Sequence, residues 1–303
     1  MNNILIHGAS SFLGKEFIKL LISRQIDVNV IARSTSQIPF CENCPLVKVF
    51  RYNNSISEVD YRSIPIKNPV FFEFSWQGVF GSDRNNPEQF SVNIPLIISS
   101  ITFAKKLNAK HWVGIGSQAE YGDLNKEISE KDICNPTSNY GKSKLLCSKI
   151  SEELCQAYNI EHSWLRLFSV FGPGDNHDWL IPYLIKEMLK NNEINVTKGE
   201  QMWDYLFIDD ILEVLLKLTD AKGIGIVNLG SGQPIAIRQI IEKIKDLTFS
   251  DSVIHYGAIE YRPDQVMYMS ANITKLTQHL NWQPKTKIDD GLIKTIDFFK
   301  KDK

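Results

Sequence analysis

The sequence lacks an excess of either charge: 34 lysines and arginines stand against 35 aspartates and glutamates. No global field therefore recruits nucleic acid or an anionic membrane surface, and neither is expected as a partner. Long hydrophobic runs are also missing, and none approaches the ~18 residues that a spanning helix needs. The stretch Met1 to Ser10 has neither a basic start nor a long apolar core, so no signal peptide is expected and the expected compartment is the cytoplasm. Cysteine is scarce, with five in 303 residues, which is too few for a disulfide framework. Cys41 and Cys44 have C-x-x-C spacing, yet no second pair and no nearby His or Cys cluster completes four ligands. They are read as loop thiols, and no metal is expected. Cys147 and Cys155 fall on a predicted helix as packing residues. Repeats and low-complexity segments are absent as well.

What is present is a regular alternation. Short apolar segments at 28–32, 47–52, 69–76, 111–117 and 162–168 follow the opening strand "NILIHG". Helix-period stretches separate them, such as "GKEFIKLLISR" with Phe17, Leu20 and Leu21 on one face. Near-continuous apolar strands between helices imply a parallel sheet covered on both faces. The fold class is therefore α/β, a Rossmann-type doubly wound sheet, over about residues 1–170. Long helices are expected over 87–108 and 138–158, with Pro95 either kinking the first or moving its start towards residue 93. After "FGPGD" the rhythm changes, and 171–303 reads as a smaller α/β lobe with brief strands at 225–230 and 252–257. This lobe is expected to bind substrate and close over the mouth of the sheet, with an interleaved boundary.

The segment "HGASSFLGK" joins strand to helix through a loop whose outer glycines, Gly8 and Gly14, lie six positions apart. That is one more than in the G-x-G-x-x-G dinucleotide fingerprint, and Ser11 stands where a glycine would be wanted. Gly8 suits the tight turn and Gly14 the close helix approach, while Ser11 is small enough to stand near a phosphate. A strand–helix turn without any ligand satisfies the same pattern. The second strand ends "VIARSTS", offering Arg33 and hydroxyls such as Ser34 where an NAD site places a carboxylate. A guanidinium there suits a 2′-phosphate, unless it is simply an exposed loop arginine, so the cofactor expected is NADP(H) ahead of NAD(H).

Further along, "GIGSQAEYG" follows the fifth strand and "SNYGKSK" opens a helix. Tyr140 and Lys144 are i and i+4 and share a helix face. Ser117 is delivered to the carboxyl edge of the sheet, where α/β ligands bind. A phenol has a reference pKa of about 10, and a neighbouring ammonium brings it towards useful range. Ser117 can then hold a substrate oxygen near that proton donor.

With these motifs in place, the chain resembles the extended short-chain dehydrogenase/reductase family of nucleotide-sugar epimerases, dehydratases and reductases. The resemblance runs through "GASSFLG", "GSQAEYG", "YGKSK", "LRLFSVFGPGD", "DYLFIDDI", "VNLGSGQPIAIRQI" and "GAIEYRPDQVMYMSAN". It implies Ser117, Tyr140 and Lys144 as catalytic residues. Gly8, Ser10, Ser11, Phe12, Leu13, Gly14, Arg33 and Ser34 would bind the cofactor. Trp76, Arg84, Ser169 and Arg262 would contact a nucleoside-diphosphate sugar, although the 75–86 loop also reads as an ordinary surface loop.

Within that family the nucleotide-sugar 4-ketoreductases are the nearest type. Trp203-Asp204 replaces the usual Arg-Asp, and Ser169 stands where epimerases often have asparagine. Reduction of a 4-keto-6-deoxy sugar nucleotide is the leading expectation, with a 4-epimerase on retained NAD and a non-catalytic dinucleotide sensor as alternatives. A 4,6-dehydratase needs an acid and a base beside the serine, where this chain has Gln118 and Ala119, with Glu120 next. The resemblance also implies a homodimer through the 87–108 and 138–158 helices.

Overall fold

The computed structural model describes residues 3–262 and 265–301. They form two compact units. The first contains residues 1–122, 133–167 and 212–227, and the second residues 123–132, 168–211 and 228–303. The chain therefore passes back into the first unit after residue 170, through residues 212–227.

The first unit is built on a seven-stranded sheet: β1 (Ile4–His7), β2 (Val28–Arg33), β3 (Val47–Tyr52), β4 (Val70–Glu73), β5 (His111–Ser117), β6 (Glu161–Leu167) and β7 (Gly225–Leu229). The order is β7-β6-β5-β4-β1-β2-β3, and the pairings from β1 to β6 are parallel. The strand at 225–229, expected in the smaller lobe, is an edge strand of this main sheet. β1 and β4 are buried at every position, as continuous apolar runs require when helices cover both faces. β1 has β2 on one side and β4 on the other, so the winding reverses there and the carboxyl ends of β1 and β4 flank the switch point.

Three helices of this unit carry or brace the candidate residues: α1 (Phe12–Ser23), α2 (Glu88–Lys106) and α3 (Asn139–Ala157). α1 buries Phe17, Ile18 and Leu21, with the Phe17 ring edge-on to Phe72 at 4.9 Å. α2 starts at Glu88 and runs through Pro95, which removes one amide from the ladder without ending the helix. Ile97, Ile101 and Ala104 of α2 and Cys147 and Cys155 of α3 share one core with Phe71, Trp112 and Trp164. The two helix cysteines are thus packing residues, as expected, and burial pushes both thiols up to about 12. Cys41 differs from the expected loop thiol: it is fully buried in a helical turn at Pro39–Glu42.

In the second unit, strand Met202–Phe207 pairs antiparallel with Pro234–Ala236 and parallel with Tyr268–Ala271 and Ser169–Phe171. Helices Leu180–Met188, Ile237–Thr248 and Ile288–Lys301 belong to the same unit. Asp204 is completely buried and accepts from the amides of Ser231 at 2.6 Å, Gly232 at 2.9 Å and Ala271 at 2.8 Å. It clasps the strand to a turn and a neighbouring strand. Among the described residues no helix is long and apolar enough to cross a membrane.

Candidate active site

The glycine loop is shaped by what it omits. Gly8 has φ +90°, and a Cβ there would lie 2.5 Å from the Ser75 nitrogen at the end of β4. At Gly14 a Cβ would lie 2.4 Å from the Gly8 carbonyl oxygen. Both glycines are therefore forced, one by backbone conformation and one by close approach. Ser11 is the N-cap of α1: its Oγ accepts from the Gly14 amide at 3.1 Å and donates to the Gly8 carbonyl at 2.8 Å. Its hydroxyl is turned into the loop, and the phosphate-facing place assigned to it has no proton left to offer. Phe12 and Leu13 occupy the first two helical positions, whose amides find no acceptor within the helix. A cradle that any Cβ would fill, next to such amides, fits a dinucleotide pyrophosphate.

At the end of β2, Arg33 and Ser34 are both exposed. Ser34 donates through its amide and hydroxyl to the Tyr52 carbonyl, at 2.7 and 3.1 Å. Arg51 of β3 holds the turn from outside, bonding the carbonyls of Arg33 at 2.7 Å and Ser36 at 2.9 Å and pairing with Glu42. Below them lies a buried chain that the sequence did not suggest. His7 bridges Glu73 and Tyr52, each at 2.8 Å, and Glu73 also accepts from the Ser75 amide at 2.8 Å. Burial, with the Glu73 carboxylate adding to it, pushes the Tyr52 phenol up to about 12 against the pull of Arg33.

Ser117, Tyr140 and Lys144 meet in one buried corner of the first unit. Ser117 ends β5 at 9% exposure, and Tyr140 and Lys144 project from the first turns of α3 at 8% and 4%. Ser138 caps α3 through the Gly141 amide at 3.1 Å. A side chain at 141 would meet the Ala119 carbonyl at 2.3 Å, so this glycine lets the helix lie against the turn after β5. That approach brings the Tyr140 hydroxyl close to the Ser117 side chain. Burial raises the Tyr140 pKa, Glu120 raises it further, and Arg84 and the Ser117 hydroxyl lower it. Burial also brings Lys144 down to about 7, with its Nζ donating to the Ile115 carbonyl at 2.7 Å.

The 75–86 segment covers this corner. Trp76 lies edge-on to Tyr140 at 6.0 Å and places its ring 3.5 Å from the Lys144 Nζ. Arg84 stacks its guanidinium 4.2 Å from the centroid of the Tyr140 ring. α2 anchors the segment through two buried amides. Asn93 accepts from the Gln77 amide at 2.9 Å and returns a bond to its carbonyl at 3.1 Å. Gln89 bonds the Trp76 indole at 3.0 Å and the carbonyls of Gly78 and Asp83. A polar pair at i, i+4 inside an otherwise apolar helix face was the available signal for both anchors.

Glu120, the carboxylate nearest the serine in sequence, is fully buried and already committed. It accepts from the Ser117 amide at 2.9 Å, the Trp164 indole at 2.9 Å and the Arg166 guanidinium at 2.7 Å. A carboxylate held by three donors, one of them cationic, has its oxygens occupied within the protein. The remaining candidates, Ser169 and Arg262, belong to the second unit. Ser169 pairs in register with Tyr205, and the Arg262 carbonyl accepts from the Gln265 amide at 3.0 Å. Trp203, in the place of the usual arginine, donates its indole N–H to the Val266 carbonyl at 2.9 Å. Pro263 and Asp264 of the "EYRPD" motif lie outside the described residues.

Comparison with known proteins agrees with this fold. The model of the NAD dependent epimerase/dehydratase family matches residues 4–230. CDP-abequose synthase of Salmonella muenchen is 28% identical over 304 residues, 97% of this chain and 96% of that protein. UDP-glucuronate 4-epimerase of Thermodesulfobacterium geofontis is also 28% identical, over 74% of this chain and 69% of its own length. Among solved structures, UDP-glucose 4-epimerase of Thermotoga maritima with UDP-glucose has a TM-score of 0.86 at 23% identity, covering 99% of each chain. UDP-N-acetylglucosamine 4-epimerase of Methanobrevibacter ruminantium reaches 0.88 at 22% identity, covering 100% of this chain and 99% of that one. The chain belongs to the NAD-dependent epimerase/dehydratase family of nucleotide-sugar enzymes.

Proposed function

We propose that this chain reduces the C4 ketone of a nucleoside-diphosphate 4-keto-6-deoxy sugar, with NADPH as the reductant. The observation that carries the reading is the buried corner where the Tyr140 hydroxyl meets Ser117, with Lys144 one turn along the same helix. Ser117 orients the ketone oxygen. Tyr140 donates a proton to that oxygen as it becomes an alcohol, a role worth roughly 10²–10⁴-fold. Lys144 lies close enough to assist the phenolate left behind.

The Gly8–Gly14 loop would hold the cofactor pyrophosphate, with Ser10, Ser11, Phe12 and Leu13 around it, and Arg33 and Ser34 the adenosine end. When bound, the nicotinamide supplies the hydride. Arg33, with no carboxylate beside it at the end of β2, favours a 2′-phosphate and hence a reduced cofactor consumed in each turnover. The engagement of Glu120 with Arg166 and Trp164 speaks against dehydration. Ser169, Trp76 and Arg262 are assigned to the sugar nucleotide, and a cytoplasmic homodimer through α2 and α3 is the proposed assembly.

The epimerase reading draws on the equal identity to a UDP-glucuronate 4-epimerase. One experiment separates the two. The protein is incubated with CDP-, dTDP- and GDP-linked 4-keto-6-deoxy sugars and NADPH or NADH, absorbance at the reduced nicotinamide band is followed, and products are identified by NMR. Stoichiometric loss of NADPH with formation of a 4-hydroxy sugar is expected. Interconversion of 4-epimers from UDP-sugars without net loss of reduced cofactor would replace the reductase with the epimerase.

A further inference from the structure

We infer that Arg84 is a positioning residue for the Tyr140 phenol: its guanidinium, stacked on the ring, supplies a permanent positive charge that favours the phenolate against the effect of burial. The inference rests on the reading of Tyr140 as that donor.

The geometry points to it in two ways. First, Arg84 lies 4.2 Å from the ring centroid, within the range of a cation–π contact and close enough to act on a phenolate. Second, the contact is bracketed: the residue after Arg84 is tied to the residue before Tyr140. Asn139 Nδ2 donates to the Asn85 carbonyl at 2.7 Å, which fixes the 81–85 turn to the start of α3. Gln89 holds the Asp83 carbonyl on the other flank at 3.0 Å. A loop cation resting on the ring by chance would need neither tether.

The charged groups acting on Tyr140 are Arg84 from the turn, Glu120 from the segment after β5 and Lys144 from α3. Glu120 opposes the phenolate, and its charge is spent on Arg166. Lys144 Nζ lies 5.8 Å from the Tyr140 centroid, nearer to Trp76, and burial brings it to about 7. Burial thus works against the charge on Lys144 in the free protein. A guanidinium stays charged near neutral pH. Arg84 therefore keeps its pull on the phenol whatever the lysine charge.

The test reads the phenol directly, without cofactor or substrate. Ultraviolet difference titration is run on wild type, Arg84→Met and Arg84→Lys, each with the matching Tyr140→Phe variant subtracted to isolate the Tyr140 phenolate. Removing a cation destabilises the phenolate, so the Arg84→Met midpoint should rise by about one unit, roughly tenfold in proton affinity. Arg84→Lys should recover most of that shift. In turnover, Arg84→Met should lower kcat at neutral pH by about tenfold with KM nearly unchanged, since a weaker acid donates more slowly. The alkaline limb of kcat should move to higher pH, because the protonated phenol is the active form. A midpoint that stays at the wild-type value overturns the inference, as does a tenfold rise in KM at constant kcat, which would make Arg84 a substrate contact only. Wild-type turnover in Tyr140→Phe would instead remove the proton-donor reading, a result independent of the Arg84 titration.

Discussion

The two loops leaving the carboxyl ends of β1 and β4 are neighbours built on opposite principles. The glycine loop is defined by side chains that are absent: Gly8 and Gly14 approach backbone so closely that no Cβ fits. The 75–86 segment is defined by side chains that are present, held by the buried amides of Gln89 and Asn93 and laid over Tyr140 and Lys144 through Arg84 and Trp76. Exclusion produces a rigid cradle set by the backbone alone, which suits the pyrophosphate proposed for it, a group whose shape does not vary with the sugar. Anchoring by side chains produces a surface that can be rebuilt residue by residue without disturbing the sheet. The first loop suits what a cofactor site must keep constant, and the second suits what a substrate site must vary.

Gly14→Ala should break the first loop hardest. Its new methyl group would sit 2.4 Å from the Gly8 carbonyl oxygen, a backbone atom that cannot swing aside. Overpacking of this kind costs about 3 kcal/mol. If the loop backs away from the pyrophosphate to relieve it, the loss converts to roughly a hundredfold weaker NADPH binding. Fluorescence titration with NADPH measures the affinity and urea unfolding measures the stability. Undiminished affinity and stability together would show that the cradle has slack the geometry denies.

This contrast also explains what was legible in the sequence. Exclusion is local, so Gly8 and Gly14 announced themselves by spacing within seven residues of chain. The Tyr140–Lys144 pair was equally local, one turn of one helix. The strands of the main sheet were legible because burial on both faces demands unbroken apolar runs. Anchoring is not local. Asn93 meets Gln77 and Arg84 meets Tyr140 only after the chain has folded, and a lone amide or arginine carries no mark of its partner. The same limit hid the His7–Glu73–Tyr52 chain, whose members come from β1, β4 and β3, segments far apart in the chain. It also hid the return of 225–229 to the main sheet, since an isolated apolar strand does not state which edge it will join.

Asn93→Ala tests the second loop at its anchor. The side chain is fully buried and its loss strands the Gln77 amide and carbonyl, while the Gln89 side-chain oxygen keeps the Trp76 indole as its donor. Unsatisfied groups of this kind cost about 2 kcal/mol in total once water reaches some of them. The expected signature is uneven: a modest fall in urea midpoint, early proteolytic cleavage within 77–86, and NADPH affinity close to wild type. Equal weakening of cofactor binding would mean that the two loops are one mechanical unit rather than two.

The smallest effect falls on Ser11, where the two principles meet, since it is a side chain inside the loop made by exclusion. Its hydroxyl accepts from the Gly14 amide and donates to the Gly8 carbonyl, so it serves the start of α1. Ser11→Ala removes an N-cap and should cost about 1 kcal/mol, whereas Ser11→Gly should cost only a few tenths, because glycine tolerates the cap position. Thermal melts of the two variants should differ in that order. NADPH affinity should stay near wild type in both, and Ser11→Gly leaves room for the backbone to approach the pyrophosphate more closely. A tenfold loss of NADPH affinity in Ser11→Ala, with no change in the melt, would return the hydroxyl to the phosphate and make the glycine loop depend on a side chain after all.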